Sequence, residues 1–157
     1  MPNKSAENHS ASIFLLKQLP KKAKIRTAIL SILIAVTLIA CMTKIAIRNE
    51  LAESIDKYNK LLSSQSFDTA GLFAAESIAK EFSARIKAAK NIKVVDYSIE
   101  KTDYDEDNGK AEITVKIDYY SLSSYKVNTI LDIQKWEYIT EKGAKHWRLM
   151  SLLPEFP

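Results

Sequence analysis

Among its 157 residues this chain has one cysteine, three glycines, four prolines and two histidines. Each scarcity excludes something. A lone cysteine, Cys41, rules out a disulfide within the chain and any thiolate cage for zinc. Three glycines cannot supply a glycine-rich loop to cradle phosphate, because such loops need backbone that side chains would obstruct. The histidines, His9 and His146, stand near opposite ends, so neither a paired-His metal site nor a serine triad has its parts. No cofactor is expected. Without disulfides the folded portion must stand on its hydrophobic core, for which the roughly 110 residues after Lys44 suffice.

Charge of one sign is also scarce where it would matter. The chain is +4 overall, but residues 1–40 hold six Lys/Arg and one Glu, whereas residues 41–157 hold 17 Lys/Arg and 18 Asp/Glu. The basicity belongs to the leader, so the domain offers no electrostatic footprint for nucleic acid.

What the chain does have is Thr27–Thr43, TAILSILIAVTLIACMT, an uncharged run fenced by Arg26 and Lys44. As a helix it rises ~25 Å, just short of the ~30 Å hydrocarbon core of a bilayer. Leu38-Ile39-Ala40-Cys41 resembles the bacterial lipobox, which implies lipidation at Cys41 and a new N-terminus there. The basic segment Lys21, Lys22, Lys24 and Arg26 before the apolar run fits that signal. The 26-residue leader is long for it and fits an uncleaved anchor instead. Both readings put residues 1–26 in the cytoplasm and residues 45–157 outside, by the positive-inside rule. The expected location is the bacterial cell envelope, with the membrane held through a Cys41 lipid or the apolar helix.

Beyond Lys44 the apolar period decides the elements. Ile47, Leu51, Ile55, Tyr58 and Leu62 trace one helical stripe, and Leu72, Ala75, Ala79, Phe82, Ile86 and Ala89 a second. From Lys93 the period becomes two: a strand to about Tyr104, a turn at Asn108-Gly109, and the clean alternation Ala111, Ile113, Val115, Ile117, Tyr119. Val127, Thr129, Leu131 and Ile133 predict a third strand with that apolar set inward and Asp132 and Gln134 outward. Trp136 and Tyr138 fall on the opposite parity, which predicts a bulge near Gln134-Lys135. A turn at Gly143 leads to a last strand from His146 to about Leu153, stopped by Pro154. The class is α+β: a membrane or signal helix, then helices packed on a curved four-stranded antiparallel sheet.

The ending Trp136-Glu137-Tyr138-Ile139, Gly143, Trp147-Arg148-Leu149 resembles that of the nuclear transport factor 2-like superfamily, the cystatin-like cones. The resemblance covers about Ile45 to Pro157, with no obvious short strand between the first two helices. It implies a pocket between sheet and helices, and often dimers through the sheet. Some members, such as ketosteroid isomerase and scytalone dehydratase, place an Asp or His with a Tyr inside the cone. Type IV secretion machines contain single-span proteins of similar periplasmic fold.

Candidate chemistry is thin. Asp118, Asp132 and His146 are expected to face solvent by parity, so no catalytic residue is assigned. Asp103, Asp105 and Asp107 have the spacing that begins a calcium loop, but Asn108 stands where the loop needs Gly and Thr114 where it needs a bidentate Glu. A solvated hairpin turn is the expectation there, and no metal. Apolar residues on the parity opposite the core set mark a partner surface at Tyr120, Ile130 and Trp136. The sequence thus points to a tethered, non-catalytic envelope protein that binds a protein partner, a second copy or a small hydrophobic ligand. The alternatives are a single-span component of a secretion or transport assembly, and an isomerase- or dehydratase-type enzyme.

Overall fold

The computed structural model describes the backbone from Lys21 to Pro157 and the side chains from Met42 onward. Residues 1–20, and the side chains of residues 21–41 with Cys41 among them, lie outside the described residues. Among the described residues no helix is long and apolar enough to cross a membrane. Helix α1 spans Lys21–Ser63. The compact unit Ile47–Pro157 carries the rest of the fold.

Within that unit α1 buries the predicted stripe, Leu51, Ile55, Tyr58 and Leu62. On its wet face Glu53–Lys57 (3.3 Å) and Asp56–Lys60 (2.8 Å) pair at i,i+4 with the acid first, the favourable order. The helix ends where Gln65 takes a left-handed φ of 64° and the Ser66 amide turns back to Leu61 O at 2.8 Å.

The second stripe is not one helix. Helix α2 (Phe67–Ala70) passes into a 3₁₀ turn (Gly71–Phe73), and Ala74 is extended with ψ 140°. Only then comes α3 (Ala79–Ala88), followed by a 3₁₀ turn, Ala89–Asn91. The break resets the helical phase. Ala75, Phe82 and Ala89 are buried as expected, but Leu72 and Ala79 are exposed. At the extended point Ala74 makes a single parallel bridge to Leu149, in the place where no strand was legible.

The sheet is an antiparallel meander in the order β1-β2-β3-β4, with β1 Ile92–Asp105, β2 Lys110–Ser121, β3 Val127–Glu141 and β4 Ala144–Leu149. Glu141↔Ala144 closes the β3–β4 hairpin over Lys142 and Gly143, whose φ values of 53° and 81° are those of a primed two-residue turn. β4 ends at Leu149, short of the expected end near Leu153. There the Met150 amide donates to Lys135 O (2.7 Å), and the Ser151 hydroxyl, not its backbone, takes the Lys135 amide (3.1 Å). Leu153 then turns into the core.

The third strand corrects the sequence reading. Its ladder with β2 runs from Lys110↔Glu137 to Tyr120↔Val127 without a shift, so no bulge separates Ile133 from Trp136. The even positions therefore share the face of Ala111, Ile113, Val115, Ile117 and Tyr119, which is buried under the helices. Trp136 is fully buried, Gln134 is 0% and Asp132 4% exposed, whereas Val127, Leu131 and Ile133 are 56%, 60% and 51% exposed. The long pattern of β2 and the aromatic end of β3 fix the phase. The apolar run of β3 is left outside.

Candidate functional site

Inverting β3 places a polar group in the core. Gln134 is its hub: Nε2 donates to Asn59 Oδ1 (2.9 Å) and to Asp132 Oδ2 (2.9 Å), and Oε1 accepts from Asn59 Nδ2 and Trp136 Nε1, both at 3.4 Å. Asn59 comes from α1, inside the apolar stripe, where its Nδ2 also donates to Ile55 O at 2.9 Å. Burial pushes the Asp132 carboxyl from its ordinary range up to about 6, against the Gln134 hydrogen bond, which favours the charged form. Tyr58, ringed edge-on by Trp136, Phe73 and Phe82, is buried and has no hydrogen-bond partner for its hydroxyl among the described residues. Burial first, and the Asp132 charge second, drive its pKa well up.

Asp132 was expected outside and lies inside; nothing in the local alternation signals it, but Asn59 in the helical stripe is the sequence trace of the cluster. The other candidates lie apart. His146 is exposed, with Nδ1 3.8 Å from Glu50 Oε1, and Asp118 faces outward and accepts from Thr129 Oγ1 at 2.6 Å. In the β1–β2 hairpin the Asp105 carboxylate accepts from Asn108 through Nδ2 (2.7 Å) and the backbone amide (3.1 Å), bonds that lower its pKa. Asp103 pairs instead with Lys101 at 2.6 Å. Asp103, Asp105 and Asp107 are thus not gathered, and no metal-holding group of acids, His or Cys occurs among the described residues.

Two clefts adjoin the sheet. A groove of about 640 Å³ lies at the hairpin end and includes Asp103, Lys110, Glu112 and Lys135. A smaller one, about 360 Å³, opens between Arg48, Leu51 and Ile55 of α1 and Ile99 and Tyr104 of β1. Ile99 is 48% exposed although it pairs with Val115 of the inner face, and Arg48 sits 6.0 Å over the Tyr104 ring. Neither cleft reaches Asp132 or Gln134.

The expected partner surface needs redrawing. Trp136 belongs to the core and Ile130 is half-buried against it; of the three residues named for that surface, only Tyr120 faces outward, stacked on Tyr125 at 5.8 Å. In their place the outer face carries Val127, Leu131 and Ile133, a row on one strand. Since β4 pairs with β3 only from Trp136 to Glu141, that row borders a free strand edge. Compared with known protein families and with curated proteins, the chain matches none.

Proposed function

We propose that this is a membrane-tethered, non-catalytic envelope protein whose extracytoplasmic domain binds a protein partner through the outer face and free edge of β3. The observation that carries the reading is the exposed row Val127, Leu131 and Ile133, three large apolar side chains along a strand that is paired with β2 on one side and open on the other. A soluble surface tolerates scattered apolar side chains; an aligned row beside open backbone is an interaction surface. The uncharged run Thr27–Thr43 supports the tether, and the lipobox-like Leu38-Ile39-Ala40-Cys41 supplies its chemistry if the leader is cut. The 26 residues before the apolar run, long for a lipoprotein signal, support the retained anchor and, with it, a single-span component of a larger assembly.

The cone of the nuclear transport factor 2-like superfamily is the fold we assign to residues 45–157. Its interior here is filled by Tyr58, Phe82, Trp136 and Trp147, and Asp132, the one carboxylate buried among the described residues, is hydrogen-bonded to Gln134. That supports a binding module over an isomerase or dehydratase. A second reading has its own support: the half-exposed Ile99 and the Arg48 above Tyr104 suit a small hydrophobic ligand with an anionic end in the α1–β1 cleft.

Photocrosslinking tests the main reading. A benzophenone amino acid at Leu131 or Ile133 of the full chain, irradiated in intact cells, is expected to give a discrete adduct, and one at the opposite, solvated Lys57 none. Free monomer alone from both sheet positions would contradict it.

A further inference from the structure

Arg48 of α1 lies over Tyr104 of β1, and about two turns later Asp56 meets Tyr97, so helix and strand run in opposite directions. Between those two contacts they do not close on each other. Ile99 pairs with Val115, whose side chain is fully buried, yet Ile99 itself is 48% exposed. The cleft of about 360 Å³ left there has Leu51, Ile55 and Ile99 for walls.

Its two ends differ in charge. At one end the Arg48 guanidinium sits 6.0 Å over the Tyr104 ring and pairs with no carboxylate among the described residues. Glu50, the nearest acid along the helix, faces His146 of β4 instead, 3.8 Å from its Nδ1. Thr102, exposed on the same face of β1 as Tyr104, adds a hydroxyl at that end. At the other end the Tyr97 hydroxyl donates to Asp56 Oδ1 (3.4 Å), and Asp56 Oδ2 accepts from Lys60 at 2.8 Å. From Arg48 to Asp56 the helix rises ~12 Å.

We infer that this cleft binds a medium-chain fatty acid, its carboxylate on Arg48 and Thr102 and its chain along Leu51, Ile55 and Ile99. This rests on the small-ligand reading above and gives that ligand its class and direction. A guanidinium suits a carboxylate because its planar fork meets both oxygens with parallel hydrogen bonds. Stacking on Tyr104 limits the orientations of that fork, so less freedom is lost on binding. The reverse direction brings the carboxylate to Asp56, a like charge. A neutral amphiphile gains nothing from Arg48, and a cationic one is repelled. The chain covers Ile99, and apolar area removed from water is the driving term. At about 360 Å³ the cleft lies at the lower end of ligand-site size and takes one chain, not the two of a diacyl phospholipid.

A photoreactive decanoate reads both site and direction in the full chain held in phosphatidylcholine nanodiscs. Cleavage after Lys93, Lys101 and Lys110 separates residues 94–101, which hold Ile99, from residues 102–110, which hold Thr102 and Tyr104. A diazirine at the chain end is expected to label residues 94–101 at least fivefold more than residues 102–110. Decanoate should compete at least tenfold more strongly than decanol, each corrected for its partition into the lipid. Arg48→Gln should lower the labelling at least tenfold, with Arg48→Lys in between, and Ile99→Trp, which fills the cleft, should abolish it. Both positions are exposed, and an unchanged circular dichroism spectrum shows that the fold is kept. Labelling that neither Arg48→Gln nor Ile99→Trp lowers, or that favours residues 102–110, overturns the inference. Equal competition by decanol removes the carboxylate and leaves a small hydrophobic ligand in the cleft; no saturable labelling at all ends both readings of the cleft.

Discussion

Asn59 of α1 and Gln134 of β3 exchange hydrogen bonds face to face in the core, Gln134 Nε2 to Asn59 Oδ1 at 2.9 Å and Asn59 Nδ2 to Gln134 Oε1 at 3.4 Å. The pair ties the helix to the strand and makes the inward phase of β3 tolerable. Gln134→Ala removes the hub and leaves Asn59 and Asp132 short of partners. Buried polar groups left unsatisfied cost ~1–3 kcal/mol each, so the variant should lose about 2–4 kcal/mol in urea unfolding. Adding Asn59→Leu should cost much less than it does alone, a coupling that a double-mutant cycle reads directly.

Asp132 gives stability a pH dependence of unusual sign. Its folded pKa, about 6, lies above the ordinary value of 3.8, so between those values the folded state binds more protons than the unfolded one. Stability therefore falls as pH rises from about 4 to about 6 and levels off above, by ~2–3 kcal/mol at most from this group. Unfolding free energies at pH 4.5 and pH 7 check the sign. Asp132→Asn should flatten the slope.

How much of this was legible can be judged element by element. The stripe Leu51, Ile55, Tyr58 and Leu62 was readable because one helical face suffices to bury it, and the alternation of β2 because both parities agree with one buried face. In β3 two signals conflict: aliphatics on the odd positions, aromatics on the even. Local pattern cannot choose between them, because the deciding partner, Asn59, is 75 residues away in sequence. The same inversion hid the buried Asp132 and moved the exposed apolar row, the proposed partner surface, from Trp136 to Leu131. The reading of the apolar segment around Cys41 rests on the sequence alone, because its side chains lie outside the described residues.

Tyr58 carries a buried hydroxyl with no hydrogen-bond partner among the described residues. Tyr58→Phe keeps the ring contacts with Trp136, Phe73 and Phe82 and drops the desolvated oxygen. The substitution should be neutral or stabilising by up to ~1–2 kcal/mol, seen as an equal or higher denaturant midpoint. A loss above ~1 kcal/mol would show that the hydroxyl is satisfied in solution.

The two hairpin glycines should differ. Both have positive φ, 60° at Gly109 and 81° at Gly143, so alanine strains the backbone at either by ~1 kcal/mol. At Gly109 a new Cβ also meets Tyr138 Cβ at 3.3 Å, whereas at Gly143 it meets nothing within 4 Å. Thermal unfolding should rank Gly109→Ala below Gly143→Ala.

The claim that the free edge and outer face of β3 are the binding surface is tested most directly by amide hydrogen exchange at Thr129, Leu131 and Ile133. Within the chain these amides have no described acceptor. In native membranes, with the partner in place, they should exchange slowly, at rates near those of the β2-bonded amides of Ile130 and Asp132; after extraction and dilution they should exchange fast while Ile130 and Asp132 stay protected. Fast exchange at all three in both states would contradict the account.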